Sequence, residues 1–127
     1  MQDHLTVLAD AAKSSPFDSS ALHASLRRHL RGEVRFDTGS RALYSMDASN
    51  YRQVPIGVVV PRDVEDVVTA IALCREHGAP LLCRGGGTGL AGQTCNAAVV
   101  LDFSKHINKI LDLDFDARRA QIGRAHV

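Results

Sequence analysis

The residues best suited to chemistry lie between Arg84 and Gln93, in the run Arg-Gly-Gly-Gly-Thr-Gly-Leu-Ala-Gly-Gln. Five glycines fall within the eight residues from Gly85 to Gly92. Lacking a Cβ, glycine takes positive φ angles readily and lets its amide come close to a ligand. Several such amides pointing inward form an anion nest. Arg84 adds a fixed cation at the entrance and Thr88 adds a hydroxyl donor, so the natural occupant is a diphosphate. A plain glycine turn is the bland alternative, but a turn seldom uses this many glycines.

Two other phosphate motifs have to be weighed. The P-loop fails because no Lys-Ser or Lys-Thr follows the glycines. Gly87, Gly89 and Gly92 satisfy G-x-G-x-x-G literally, yet that fingerprint has to open a helix whose amino terminus holds the pyrophosphate. Gln93 to Ala98 is a polar stretch without helical apolar spacing, followed by the apolar run Val99 to Leu101, which ends on Asp102. The glycine amides are therefore expected to bind phosphate without a helix dipole behind them.

The elements that must carry this loop are legible around it. Ile56 to Val60 reads as a buried strand stopped by Pro61. Asp63 is an N-cap candidate for a helix from about Val64 to His77, with Val64, Val67, Val68, Ile71 and Cys74 on one face and Gly78 at its end. Ala79 to Cys83 is a short apolar strand feeding into Arg84, which completes a βαβ unit. Val99 to Asp102 and Ile110 to Leu113 read as later strands. Upstream, Leu5, Leu8 and Ala12 form one helical stripe and Leu22, Leu26 and Leu30 another. Pro16 separates the two helices; Asp18, Ser19 or Ser20 can cap the second, and Gly32 would end it. Glu33 to Gln53 is polar and turn-rich, an ordered connector in which only Leu43, Tyr44 and Met46 look buriable.

Composition narrows the function classes. The chain has 127 residues, 45% hydrophobic and 23% charged, with a net charge of +1 from 15 Lys and Arg against 14 Asp and Glu. These values suit a soluble globular domain. The basic cluster Arg27, Arg28, His29 and Arg31 is too small to suggest nucleic acid. No apolar run approaches the roughly 20 residues of a membrane span, and Met1 to Ala12 has no export-signal pattern. Cys74, Cys83 and Cys95 match neither zinc nor iron–sulfur spacing and read as reduced thiols in a cytoplasmic setting. His4, His23, His29 and His106 lack a partner at metal-ligand spacing, so no metal site is expected. Ser40 lies in Gly-Ser-Arg-Ala, not in a nucleophile elbow. Asp112, Asp114 and Asp116 lack the glycine and glutamate of a calcium loop and read as part of a turn between strands.

The segments "VVVPRDVEDVV", "CREHGAP", "RGGGTGLAGQT" and "VVLDFSKHINKIL" resemble the first lobe of the PCMH-type FAD-binding domain of the vanillyl-alcohol oxidase superfamily, a likeness spanning Pro55 to Asp112. "YSMDASNYRQVP" is similar more narrowly to the glycolate oxidase and D-lactate dehydrogenase branch. The resemblance implies an α+β fold: residues 1–53 as a helical extension and connector, and 54–120 as the first of two lobes between which FAD lies. It puts Arg84, Gly85, Gly86, Gly87, Thr88 and Gly89 on the pyrophosphate, chiefly through backbone amides, with Gly92 and Gln93 close to the flavin. Some members attach flavin through a histidine in this loop, but the corresponding places hold Gly87 and Thr88, so non-covalent FAD is expected. Cys83 departs from the usual proline before the arginine, which leaves the entry angle of the loop less fixed.

The implied activity is an FAD-linked dehydrogenation of a small 2-hydroxy acid such as D-lactate or glycolate, bound through a domain absent from this chain. The catalytic base and any iron–sulfur cluster would lie downstream as well, and the whole protein would be cytoplasmic or peripheral at the inner membrane. His77, at the end of a helix, reads as structural. A non-catalytic nucleotide-binding module and another flavoenzyme of the same superfamily are the alternatives. Residues 121–127 do not fit the family. The sequencing-adapter string AGATCGGAAGAGCACACGTC encodes Ile-Gly-Arg-Ala-His-Val in one frame, so native protein is expected to end at about Gln121, which the parental codons test directly.

Overall fold

The computed structural model describes residues 18–123; the stripe of Leu5, Leu8 and Ala12, with His4, Pro16 and Arg124 to Val127, lies outside the described residues. Helix α1 (Ser19–His29) opens on Asp18, whose side chain accepts from the amides of Ser20 and Ala21, as its type and position require. Its Leu22 and Leu26 are fully buried, and Leu30 lies just past its end.

The segment expected as an irregular connector contributes two elements. Strand β1 (Glu33–Arg35) pairs antiparallel with β2 (Gly57–Val60), and between them α2 (Thr38–Leu43) is capped by Asp37. Leu43 and Met46 are exposed after all; of the three candidates only Tyr44 packs against the core. Polar composition concealed β1 because an edge strand needs apolar side chains on one face at most.

Strand β2 leads through Pro61 to α3 (Val64–Glu76), capped by Asp63, and on to β3 (Leu81–Arg84). Strand β4 (Val99–Asp102) then inserts between them, giving the order β1-β2-β4-β3 with β2, β4 and β3 mutually parallel. Central strands of a parallel sheet are covered on both faces, which is why Val58, Val59, Val99, Val100 and Leu101 are all at 0% exposure. Val59, Val99 and Leu101 meet Leu22, Leu26, Ala70 and Cys74 from α1 and α3, while Val58, Val60 and Val100 meet Tyr44 and Leu82 on the other face.

The buried face of α3 keeps Val67 and Cys74 of the expected one but is otherwise rotated from it. Val64, Val68 and Ile71 are exposed, whereas Asp66, Ala70 and Cys74 are buried, with Val67 and Leu73 packed against the core. Asp66 decides this rotation. Its carboxylate accepts from the amides of Arg31, Gly32 and Arg62, at 2.9, 2.8 and 2.9 Å, and so ties the α1–β1 turn to the start of α3. The last two strands, β5 (Ile110–Asp114) and β6 (Arg119–Ile122), form a separate antiparallel hairpin. Asp112 and Asp114 lie in β5, and Asp114 accepts from the Ala117 amide to shape the turn. Gln121 and Ile122 pair with Asp112 and Ile110.

Candidate functional site

The glycine loop leaves the carboxyl end of β3, beside the carboxyl end of β4, where Arg84 stands opposite Asp102 in the ladder. Open parallel sheets present ligand crevices at this end, where strand order reverses. Here β4 lies between β2 and β3, which sets the carboxyl ends of β3 and β4 side by side, and a cleft opens next to them. The cleft has a volume of about 380 Å³ and is lined by residues 83–89 with Gln93, Thr94 and Phe103. The structure thus brings together Arg84, Gly85, Gly86, Gly87, Thr88, Gly89 and Gln93 around one cavity. Gly92 sits behind it, against Tyr51.

Backbone geometry accounts for two of the glycines. Gly87 has φ +67° and Gly92 φ +77°, values that side-chain-bearing residues adopt only with strain. A Cβ on Gly87 would lie 2.6 Å from the Arg84 guanidinium, and one on Gly92 would lie 2.7 Å from the Tyr51 ring. Among the described residues, none of the amide groups of Gly85, Gly86, Gly87, Thr88 and Gly89 has a protein acceptor. Such a run of unpaired donors beside a concave surface is the requirement for an anion nest. No helix follows the loop before β4, as expected.

The Arg84 side chain turns back beneath the loop. Its Nη1 donates to the Thr94 carbonyl at 3.1 Å, and its guanidinium carbon lies 5.3 Å from the centre of the Tyr44 ring. The Tyr44 hydroxyl donates to Asp102 Oδ2 at 2.5 Å, and Asp102 Oδ1 accepts from the Ser104 amide at 2.8 Å. Burial, together with that hydrogen bond, pushes the Tyr44 phenol up to about 12. One positive charge is therefore held at the floor of the cleft.

The sequence pattern pointed to no role for the connector in this site, yet the connector frames the loop. Asp47 Oδ2 accepts from the Thr94 hydroxyl at 2.8 Å and from its amide at 3.3 Å, while Oδ1 accepts from the Ser49 amide at 2.9 Å and from the Ser49 hydroxyl. The Ser49 hydroxyl and amide, with the Thr94 donors, hold the Asp47 carboxyl well below the usual aspartate range. The Ala48 amide donates to the Gly87 carbonyl at 3.0 Å. Asp-x-Ser is a local turn signal, but nothing local in it points to a partner 47 residues away.

His77 caps α3, its amide donating to the Leu73 carbonyl, and does not line the cleft. Cys74 and Cys95 are buried free thiols, while Cys83 is exposed at the cleft. Among the described residues no acidic, histidine and cysteine side chains cluster as a metal site would require, and no helix is long and apolar enough to cross a membrane.

The fold is that of an α+β domain built on a mixed sheet, with a helix-free glycine loop bordering a cleft at the carboxyl ends of its parallel strands. The chain matches the FAD binding domain family over residues 55–125 and belongs to it, which bears out the resemblance drawn from the loop and its flanking strands. It is 33% identical over 124 residues to D-2-hydroxyglutarate dehydrogenase of Pseudomonas putida, a match covering 94% of this chain and 12% of that protein. It is 39% identical over 90 residues to the glycolate oxidase subunit GlcD of Bacillus subtilis, covering 67% of this chain and 19% of that one. The chain thus spans between about an eighth and a fifth of the length of these relatives. In solved structures the fold recurs in an alkyldihydroxyacetonephosphate synthase, with TM-score 0.69 and 19% identity over 85% of this chain and 23% of that one.

Proposed function

We propose that residues 84–93 form the pyrophosphate-binding loop of a flavin-dependent dehydrogenase acting on a small 2-hydroxy acid. The observation that carries this reading is the row of five loop amides, Gly85 to Gly89, that have no acceptor among the described residues and border the cleft. They would hold the diphosphate of FAD through N–H donors, with the Arg84 charge at the floor of the cleft adding attraction. Gly92 and Gln93 would lie toward the flavin. Binding is non-covalent, since Gly87 and Thr88 stand where a linking histidine would.

When bound, FAD supplies the redox chemistry; the residues of this chain bind and orient it. The base that takes the substrate hydroxyl proton, the substrate contacts and any iron–sulfur centre belong to the remainder of such an enzyme. D-2-hydroxyglutarate, glycolate and D-lactate are the substrates to examine first. The first two correspond to the names of the relatives, and D-lactate follows from the branch that the connector resembles.

The test is to express the longest reading frame that contains these residues, measure its flavin content, and assay the three acids with an artificial electron acceptor. A yellow protein whose FAD comes off on denaturation, and which oxidises one of the acids, is the expected result. A folded protein that binds NAD and no flavin would overturn the reading.

A further inference from the structure

The geometry points to Asp47 as the positioning residue that closes the glycine loop into its phosphate-accepting shape, acting through Thr94. This rests on the reading of residues 84–93 as the pyrophosphate loop.

A segment with five glycines in eight residues has more backbone freedom than almost any other of its length. Left to itself it would sample many shapes, and a ligand would have to order it on arrival. In the structure the loop is pinned from outside at three points, all supplied by the connector. The Ala48 amide holds the Gly87 carbonyl, the Tyr51 ring fills the space beside Gly92, and Asp47 holds both donors of Thr94.

Thr94 is the clasp. Its carbonyl accepts from Arg84 at 3.1 Å, so the first residue of the loop is tied to the residue just after its last, while the Thr94 amide and hydroxyl face Asp47. The Arg84 guanidinium in turn lies over Tyr44, whose hydroxyl is held by Asp102. Asp47 thereby connects the connector to the ends of β3 and β4 through one continuous set of polar contacts.

A carboxylate close to a diphosphate site is at first sight the wrong charge. Asp47 does not line the cleft, however, and its two oxygens are occupied by donors of Ser49 and Thr94. Its charge is spent on strong, charge-assisted hydrogen bonds behind the loop instead of facing the ligand. Asparagine cannot replace it. An amide presents one acceptor oxygen, so either the Ser49 pair or the Thr94 pair would face an NH2 group.

The test uses the full-length flavoprotein carrying these residues, stripped of FAD and titrated with it, in four forms: wild type, Asp47→Asn, Thr94→Val and the double variant. FAD affinity is read from flavin fluorescence, and the unfolding temperature of the stripped protein is read alongside. Asp47→Asn should weaken FAD binding about tenfold, with slower association, because the loop then has to be ordered on binding. Thr94→Val should weaken it by a smaller factor, and the double variant should be no worse than Asp47→Asn alone. The unfolding temperature of the stripped protein should fall only slightly for Asp47→Asn and no further in the double variant, and the loss of affinity should exceed what that small change accounts for, which separates positioning from bulk stability.

Asp47→Asn binding FAD within about twofold of wild type, losses that multiply in the double variant, or affinity that falls in step with unfolding temperature would each overturn the proposal. Should Asp47→Asn not fold, Thr94→Val decides alone, and unchanged affinity there rejects it. A wild-type protein that binds no FAD at all removes the proposed function and this inference with it, whereas FAD binding that ignores Asp47 removes only this inference.

Discussion

Replacing Asp66 by asparagine exchanges one carboxylate oxygen for an NH2 group at a point where three backbone amides converge. Asp66 is 3% exposed; Oδ1 accepts from Arg31, and Oδ2 accepts from both Gly32 and Arg62. In the best orientation the asparagine oxygen keeps the Gly32 and Arg62 bonds and turns its NH2 toward the Arg31 amide. That leaves a donor facing a donor and removes the charge from the remaining bonds. A buried unsatisfied donor costs about 1–3 kcal/mol, and bonds to a charged group are worth about 1 kcal/mol more than neutral ones, so the expected loss is roughly 2–4 kcal/mol. Against a domain stability of about 5–15 kcal/mol this is a large fraction.

The effect should depend on pH in a definite direction. Burial pushes the Asp66 carboxyl up, but the amides of Arg31, Arg62 and Gly32 outweigh it and leave the pKa lowered. A carboxyl lowered by folding stabilises the protein above its unfolded pKa of about 3.9, and that contribution is lost as pH falls through the folded value. The gap between wild type and Asp66→Asn in urea unfolding, followed by circular dichroism, should therefore be full at pH 7 and narrow on acidification below about pH 4. A variant within about 0.5 kcal/mol of wild type at pH 7, or a gap that does not narrow in acid, would refute the reasoning.

Tyr44→Phe should act at the other end of the pH scale. The phenol is raised to about 12, so its contribution is complete below the unfolded value of about 10 and lost as pH rises through the folded one. The variant should lack this alkaline loss in unfolding experiments, while losing about 1–2 kcal/mol at pH 7 from the unpartnered Asp102 oxygen. Gly92→Ala forces a side chain onto a residue at φ +77° and against the Tyr51 ring. FAD affinity by fluorescence titration should fall about tenfold or more. Leu26→Ala empties a fully buried position between α1 and the sheet, and should cost about 2–5 kcal/mol in urea unfolding while leaving the loop geometry alone.

Much of this architecture is legible in one dimension because its causes are local. The Leu22, Leu26, Leu30 spacing, the caps at Asp18 and Asp63, and the glycine run after a short apolar strand each express the chemistry of neighbouring residues. The rotation of α3 was not legible. Val64, Val68 and Ile71 are as apolar as the side that is buried, and the choice was made by Asp66 finding three amides supplied by the turn after α1 and by Arg62. Strand β1 was hidden for a related reason: Glu33 and Arg35 satisfy one another and Lys105 across the surface, so the strand needs little apolar character.

Residue types and spacing by themselves determined that this chain carries a glycine-rich loop with no helix after it, following a βαβ unit, and the likeness of those residues to a known family identified the chain as part of an FAD-binding domain. Only tertiary structure decided how the cradle is held. The insertion of β4 between β2 and β3 sets the carboxyl ends of β3 and β4 side by side at the cleft, and Asp47, Ala48 and Tyr51 reach the loop from residues some 40 positions earlier. The physical reason is one of range. Glycine freedom, capping and apolar periodicity are properties of adjacent residues, whereas the pairing of a carboxylate with a distant hydroxyl depends on the order in which strands enter the sheet.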